Sequence, residues 1–148
     1  MTFRRLSLLL LFVILGCSKT SDPSLAPVSG TITLNDEPLK HATVTFIPKD
    51  GTPGFGGVGK TDATGKYSLV GSRNNEKGIP PGEYRVVISK RLMPDGSELP
   101  ADDNTPPMMS PAKESLPDAT SSMTSTKQTA TVPAGGGIFD FTLVHKKK

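Results

Sequence analysis

Nucleophilic catalysis needs a thiol or hydroxyl held beside a base, and a metal centre needs several ligands brought to one point. In this 148-residue chain the thiol is Cys17, the imidazoles are His41 and His145, and the thioethers beyond Met1 are Met93, Met108, Met109 and Met123. The two histidines stand far apart in frames that read as strands, so each is expected as a surface strand residue. The four methionines fall between residues 91 and 123. Thioethers bind Cu(I), but no histidine accompanies them and gap-filling packing is the more general use of Met. The stretch Gly59 to Leu69, GKTDATGKYSL, sets an Asp, a Gly and an aromatic close together. A calcium loop needs a series of oxygen ligands, whereas Asp62 is the single carboxylate between Thr61 and Tyr67. An Asp and a Gly three positions on are what a tight turn uses, the carboxylate accepting backbone N–H groups and the glycine supplying positive φ. Gly54, Gly56, Gly57 and Gly59 lack the strand-to-helix setting and the Gly-Lys-Ser/Thr ending of a phosphate loop. The expectation is no catalytic set, no metal and no cofactor.

The N-terminus accounts for the lone thiol. Arg4 and Arg5 precede Leu6 to Leu15, which is apolar except for Ser7. That run is shorter than the ~20 residues a spanning helix needs and reads as the apolar region of a secretory signal. With one cysteine, no intramolecular disulfide or thiolate cluster forms. Ile14-Leu15-Gly16-Cys17 resembles the lipobox of bacterial lipoproteins, in which the cysteine sulfur receives diacylglycerol and the chain is cut just before it. The resemblance implies a signal peptide over 1–16, lipidation of Cys17 with palmitate-type chains, and a membrane anchor. At least two chains are implied, and each buried CH₂ contributes ~0.8 kcal/mol. Ser18, where an Asp would resemble an inner-membrane retention signal, favours the outer membrane, facing the periplasm or the cell surface. Losing Arg4 and Arg5 lowers the 17 basic residues to 15 against 14 acidic ones, so the charge carries no nucleic-acid signal. Lys146, Lys147 and Lys148 are read as a solubilising basic tail.

The remaining chain must position few aromatics with much punctuation: 15 Gly and 14 Pro break up short runs of Thr, Val, Ile, Phe and Tyr, a pattern of strands and turns. Residues 17–27 read as a polar tether and 28–145 as one domain. Val28 to Leu34 and His41 to Ile47 alternate with period two and are predicted to form a hairpin, Ala42, Val44 and Phe46 facing one way. Val58 to Thr61 and Lys66 to Val70 are predicted to form a second hairpin around Asp62 and Gly65, with Tyr67 in the core. Gly82 ends a Pro-Pro-Gly turn before a strand with Tyr84, Val86 and Ile88 on one face. Thr124 to Val132 and Ile138 to Val144 are predicted to close the domain as a hairpin, with Phe139, Phe141 and Leu143 inward. The segment 91–123 is too long for an ordinary link, where ~4 to 6 residues suffice, and long loops are often functional.

Ser29-Gly30-Thr31-Ile32, Asn35-Asp36-Glu37-Pro38-Leu39, Ala42-Thr43-Val44-Thr45-Phe46, Thr61-Asp62-Ala63-Thr64-Gly65-Lys66-Tyr67 and Pro80-Pro81-Gly82-Glu83-Tyr84-Arg85-Val86 follow in order. Together they resemble the carboxypeptidase regulatory-like family, also called transthyretin-like or prealbumin-like, and in particular its small bacterial envelope lipoproteins. The resemblance implies an all-β, seven-stranded antiparallel β-sandwich. Pro111 to Thr124 is similar to a Pro-x-Lys-Tyr-x-x-Pro-x-Thr-Ser-x-Leu-Thr region of those lipoproteins, with Glu114 in the Tyr place. Iron dioxygenases on this fold use two Tyr and two His, the histidines as a close pair; Tyr67, Tyr84, His41 and His145 lack that spacing. Hydroxyisourate hydrolases end in Tyr-Arg-Gly-Ser, replaced here by Val144-His145-Lys146-Lys147-Lys148. The expectation is therefore a non-enzymatic envelope lipoprotein acting as a structural or protein-interaction module. The alternative is a carbohydrate-binding module, for which Phe55 in the Gly-rich loop is the exposed aromatic on offer.

Overall fold

A computed structural model describes residues 24–99, 105–106 and 108–145. The signal segment 1–16, Cys17, most of the tether and the basic tail at 146–148 lie outside the described residues. The chain is nearly all β. Its strands in order are β1 (Val28–Leu34), β2 (Glu37–Pro38), β3 (Thr43–Pro48), β4 (Gly57–Lys60), β5 (Lys66–Ser68), β6 (Val70–Gly71), β7 (Gly82–Ser89), β8 (Arg91–Leu92), β9 (Lys113–Glu114), β10 (Thr129–Val132), β11 (Gly137–Ile138) and β12 (Phe141–Leu143), with a short helix α1 (Asp118–Ser121) before β10. One sheet is built on β1, antiparallel to β2 and β5 along one edge and parallel to β11 and β12 along the other. The second runs β10-β7-β3-β4-β6, all antiparallel. A small ladder of β8 and β9 stands apart from both.

The period-two alternation places side chains as the sequence indicates. Val28 and Ile32 of β1, Val44 and Phe46 of β3, Tyr84, Val86 and Ile88 of β7, and Phe141 and Leu143 of β12 all enter one core shared by the two sheets. Phe46 lies at its centre. Its ring centroid is 5.8 Å from Tyr84 in its own sheet, and 6.5 Å from Tyr67, 6.0 Å from Phe139 and 6.5 Å from Phe141 in or beside the other. Tilted and edge-on aromatic pairs at these separations add ~0.5–1.5 kcal/mol each beyond the area they bury.

The ladder partners differ from the sequence expectation in three places. β1 does not pair with β3; it pairs with β2, and the chain then crosses so that β3 joins the facing sheet. The strands flanking Asp62 and Gly65 also part company, β4 pairing with β3 and β5 with β1. Gly65 has φ +77°, and a Cβ there would press on the Ile32 carbonyl oxygen at 2.5 Å. The turn is thus an arch between sheets, not the tip of a hairpin. Finally, β10 and β11 do not close as a hairpin, because β10 pairs with β7 while β11 and β12 run parallel to β1. The cause is common to all three: alternation specifies which face is buried, and the inner faces of two packed sheets present the same pattern.

Between β11 and β12 the ladder is interrupted, and side chains restore it. Asp140 Oδ1 accepts the Thr31 N–H at 2.7 Å, the Phe139 N–H donates to the Ser29 carbonyl at 2.8 Å, and the Tyr67 hydroxyl donates to the Phe139 carbonyl at 2.7 Å. Gly30 permits this approach, since a Cβ would collide with the Phe139 carbonyl. Two outcomes are expected in urea unfolding: Phe46→Ala lowers stability by about 3–5 kcal/mol through loss of contact and a residual cavity, and Gly65→Val lowers it by about 1–3 kcal/mol through backbone strain.

Candidate functional site

One carboxylate oxygen of Asp62 is taken up by the turn's own hydrogen bonds. Asp62 Oδ1 accepts from the Thr64 N–H at 2.7 Å, the Thr64 hydroxyl at 2.7 Å and the Lys66 N–H at 3.0 Å. The Thr64 hydroxyl foremost, then the two backbone N–H groups, hold the carboxyl below its ordinary range. Next to it, buried Thr61 donates its hydroxyl to the Leu39 carbonyl at 2.7 Å and accepts the Ala42 N–H at 2.8 Å. Sequence reading passed over Thr61, whose partners lie about twenty positions upstream. The Tyr84 hydroxyl donates to the Pro80 carbonyl at 2.6 Å. Burial pushes both phenols up, with the Asp140 charge adding to the effect at Tyr67. Gly82 starts β7 with the Thr52 side chain against it. Asp62, Gly65, Tyr67, Gly82 and Tyr84 thus serve the architecture. The structure gives Tyr67, Tyr84, His41 and His145 separate polar partners: the Phe139 and Pro80 carbonyls, Glu98, and Asn35, which bonds the His145 backbone.

One end of the sandwich carries the described parts of the 91–123 segment (91–99, 105–106 and 108–123), an arm pinned at both roots. It leaves β7 through β8 and returns through β9, where Glu114 is the fastening. Its carboxylate accepts the Ser89 hydroxyl at 2.6 Å and the N–H groups of Lys90, Ser115 and Leu116 at 3.0 Å each. Ala112, Leu116 and Thr120 of the same segment are buried, and Leu116 joins the core. A second carboxylate, Glu98, holds the outgoing limb: it pairs with His41 Nδ1, with Lys90 Nζ at 3.1 Å and with Lys40 Nζ at 3.8 Å. The hydrogen bond from His41, then that from Lys90, draws the Glu98 carboxyl down to about 2. Between these fastenings the arm presents Met108 at 99% exposure and Met109 at 77%, and Met123 just beyond the return is 64% exposed. Met108, Met109 and Met123 therefore do not fill gaps, while Met93 is half-buried.

The opposite end carries a concavity of about 310 Å³ whose lining includes Leu25, Phe55, Arg73, Asn74, Glu76 and Pro80. The Arg73 guanidinium lies over the Phe55 ring, 3.6 Å from its centroid, while the ring remains 60% exposed. Loop bonds set this geometry. The Ser72 hydroxyl donates to the Phe55 carbonyl at 2.9 Å and its N–H to the Gly56 carbonyl at 3.1 Å. Asn74 Nδ2 donates to Glu76 Oε2 at 2.7 Å, and the Gly71 N–H donates to the Glu76 carbonyl at 2.7 Å. Ala26 and Ile79 exchange backbone bonds of 2.8 and 3.0 Å, so the N-terminal segment enters at this same end. Phe55 was expected as a contact residue; Arg73 was not, since only the fold brings it to Phe55.

Among the described residues no group of three or more His, Cys, Asp and Glu side chains is placed to hold a metal ion, and no helix is long and apolar enough to cross a membrane. No family model, curated protein or solved structure matches the chain.

Two outcomes are expected at the arm. The Glu98 carboxyl titrates lower in the folded protein than the ordinary 4.5, so its contribution is present above about 4.5 and is lost as pH falls toward about 2. Amide exchange in 91–98 should accelerate over that interval, and Glu98→Gln should remove most of the pH dependence. Glu114→Ala should speed proteolytic cleavage of the arm by about ten- to a hundredfold, the loss of a charged fastening of order 1.5–3 kcal/mol, while β3 and β7 stay protected.

Proposed function

We propose that this chain is a non-enzymatic lipoprotein of the bacterial cell envelope, anchored through acyl chains on Cys17, whose sandwich is a protein-interaction module. The observation that carries the interaction reading is the arm: Glu114 and Glu98 hold its roots while Met108 and Met109 stand in solvent. Flexible thioethers on an exposed surface suit a partner contact, because they adapt to an apolar groove at modest cost. The lipobox-like Ile14-Leu15-Gly16-Cys17 supports the envelope address, and Ser18 favours the outer membrane. The ordered motifs from Ser29 to Val86 support membership of the carboxypeptidase regulatory-like, transthyretin-like class. No residue is assigned a catalytic role and no cofactor is required.

A second reading, a carbohydrate-binding module, rests on Phe55, whose ring is open beside the concavity. Arg73 already covers one ring face, which narrows the platform a sugar would use. Retention of the protein on immobilised envelope polysaccharide, abolished by Phe55→Ala, is the outcome that reading requires.

The interaction reading is tested in intact cells with a photoactivatable diazirine side chain placed at position 109, and at position 131 on the exposed side of β10 for comparison. The expected result is a discrete protein adduct from position 109 and none from 131. Equal adducts, or none from 109, would reject the arm as the partner surface.

A further inference from the structure

The tether and the Phe55–Arg73 concavity share one end of the sandwich, and that coincidence has a geometric consequence. Eight residue steps separate Cys17 from Leu25, which itself lines the concavity. Fully extended, eight residues span at most ~28 Å, and a coil of that length spans only ~16 Å. The longest strand, β7, has 8 residues and is therefore ~26 Å long. The coil length is shorter than that strand, so the tether favours an orientation with its own end of the domain nearer the lipid than the end bearing the arm.

We propose that the end formed by Leu25, Phe55, Arg73 and Pro80 is a lipid-contact surface, seated on glycerophospholipid headgroups of the bilayer that holds Cys17. This inference rests on the lipid-anchor reading above. Phe55 projects from a loop in which Gly51, Pro53 and Gly54 are also exposed, so the ring reaches a flat surface without moving strands. An aromatic ring at the headgroup level buries apolar area while its polar neighbours stay wet. The Arg73 guanidinium is held over that ring, and a guanidinium is the side chain suited to bidentate contact with a phosphodiester. Leu25 and Pro80 supply apolar floor, and exposed Lys77 adds a cation on the same loop as Arg73. The acidic groups nearby are Glu76, bonded to Asn74, Glu83, paired with Lys49 at 3.6 Å, and Asp50. The end is thus close to charge-balanced, so the contact depends on the ring and its guanidinium more than on bulk attraction. Seating this end on lipid points the Glu98 and Glu114 end, with its methionines, away from the membrane.

The chain has no tryptophan, which makes single-tryptophan reporters direct. Full-length lipidated protein carrying Phe55→Trp, and separately Met109→Trp, is reconstituted into phosphatidylethanolamine–phosphatidylglycerol vesicles with or without brominated acyl chains. Phe55→Trp is expected to shift to shorter wavelength and to be quenched at least threefold more than Met109→Trp. Adding Arg73→Glu should cut that quenching at least twofold while circular dichroism stays unchanged. Protein that floats with the vesicles but shows equal quenching at both positions overturns the lipid contact and leaves the anchor standing. Protein that fails to float overturns both. A shift of Phe55→Trp caused by soluble polysaccharide, without quenching by lipid, overturns this proposal in favour of the glycan reading.

Discussion

Phe46 is the side chain through which the two sheets hold each other. It is fully buried, and its ring meets Tyr84 within its own sheet and Tyr67, Phe139 and Phe141 across the core. That single position couples two registers. Phe46 must lie opposite Val86 on β7, and Phe141 opposite Ile32 on β1, for the rings to meet. A slip of one residue in either ladder would turn an aromatic toward water, so the cluster selects both pairings together. Two of its rings carry phenols, and these reach carbonyls at the rim, Phe139 and Pro80, so the core contains hydroxyls without leaving them unpaired.

With the centre held in this way, the two ends of the sandwich are free to differ. At one, the N-terminal segment enters beside the Phe55 and Arg73 loops. At the other, Glu114 and Glu98 fasten the arm to the end of β7 and to His41. Both carboxylates fasten through several donors, and on the Glu114 side the limb also reaches the core through Leu116. A rigid middle of this kind lets the loops at either end vary independently of the core.

The buried faces were legible in the sequence because period-two alternation is a local property: Ala42, Val44 and Phe46 point inward, as do Tyr84, Val86 and Ile88. The pairings were not legible. Whether Val28 to Leu34 meets residues 43–48 or residues 141–143 depends on how the sheets stack, and parallel pairing of the first and last strands leaves no turn signature between them. The Asp62 and Gly65 turn was readable as a turn and misread as a hairpin for the same reason. Phe55 stood out as an aromatic among Gly and Pro, but Arg73 became its partner only through folding. Glu114 and Glu98 look like ordinary surface carboxylates in one dimension, since the groups they fasten are set beside them only when β7, β8 and β9 come together.

The account of place and orientation depends on Cys17, and metabolic labelling with a palmitate analogue tests it most directly, comparing the wild-type chain with Cys17→Ala. Strong label on the wild type and background label on the variant, at equal protein abundance, is the predicted result. Equal labelling of the two would contradict it, and with it the orientation of the sandwich.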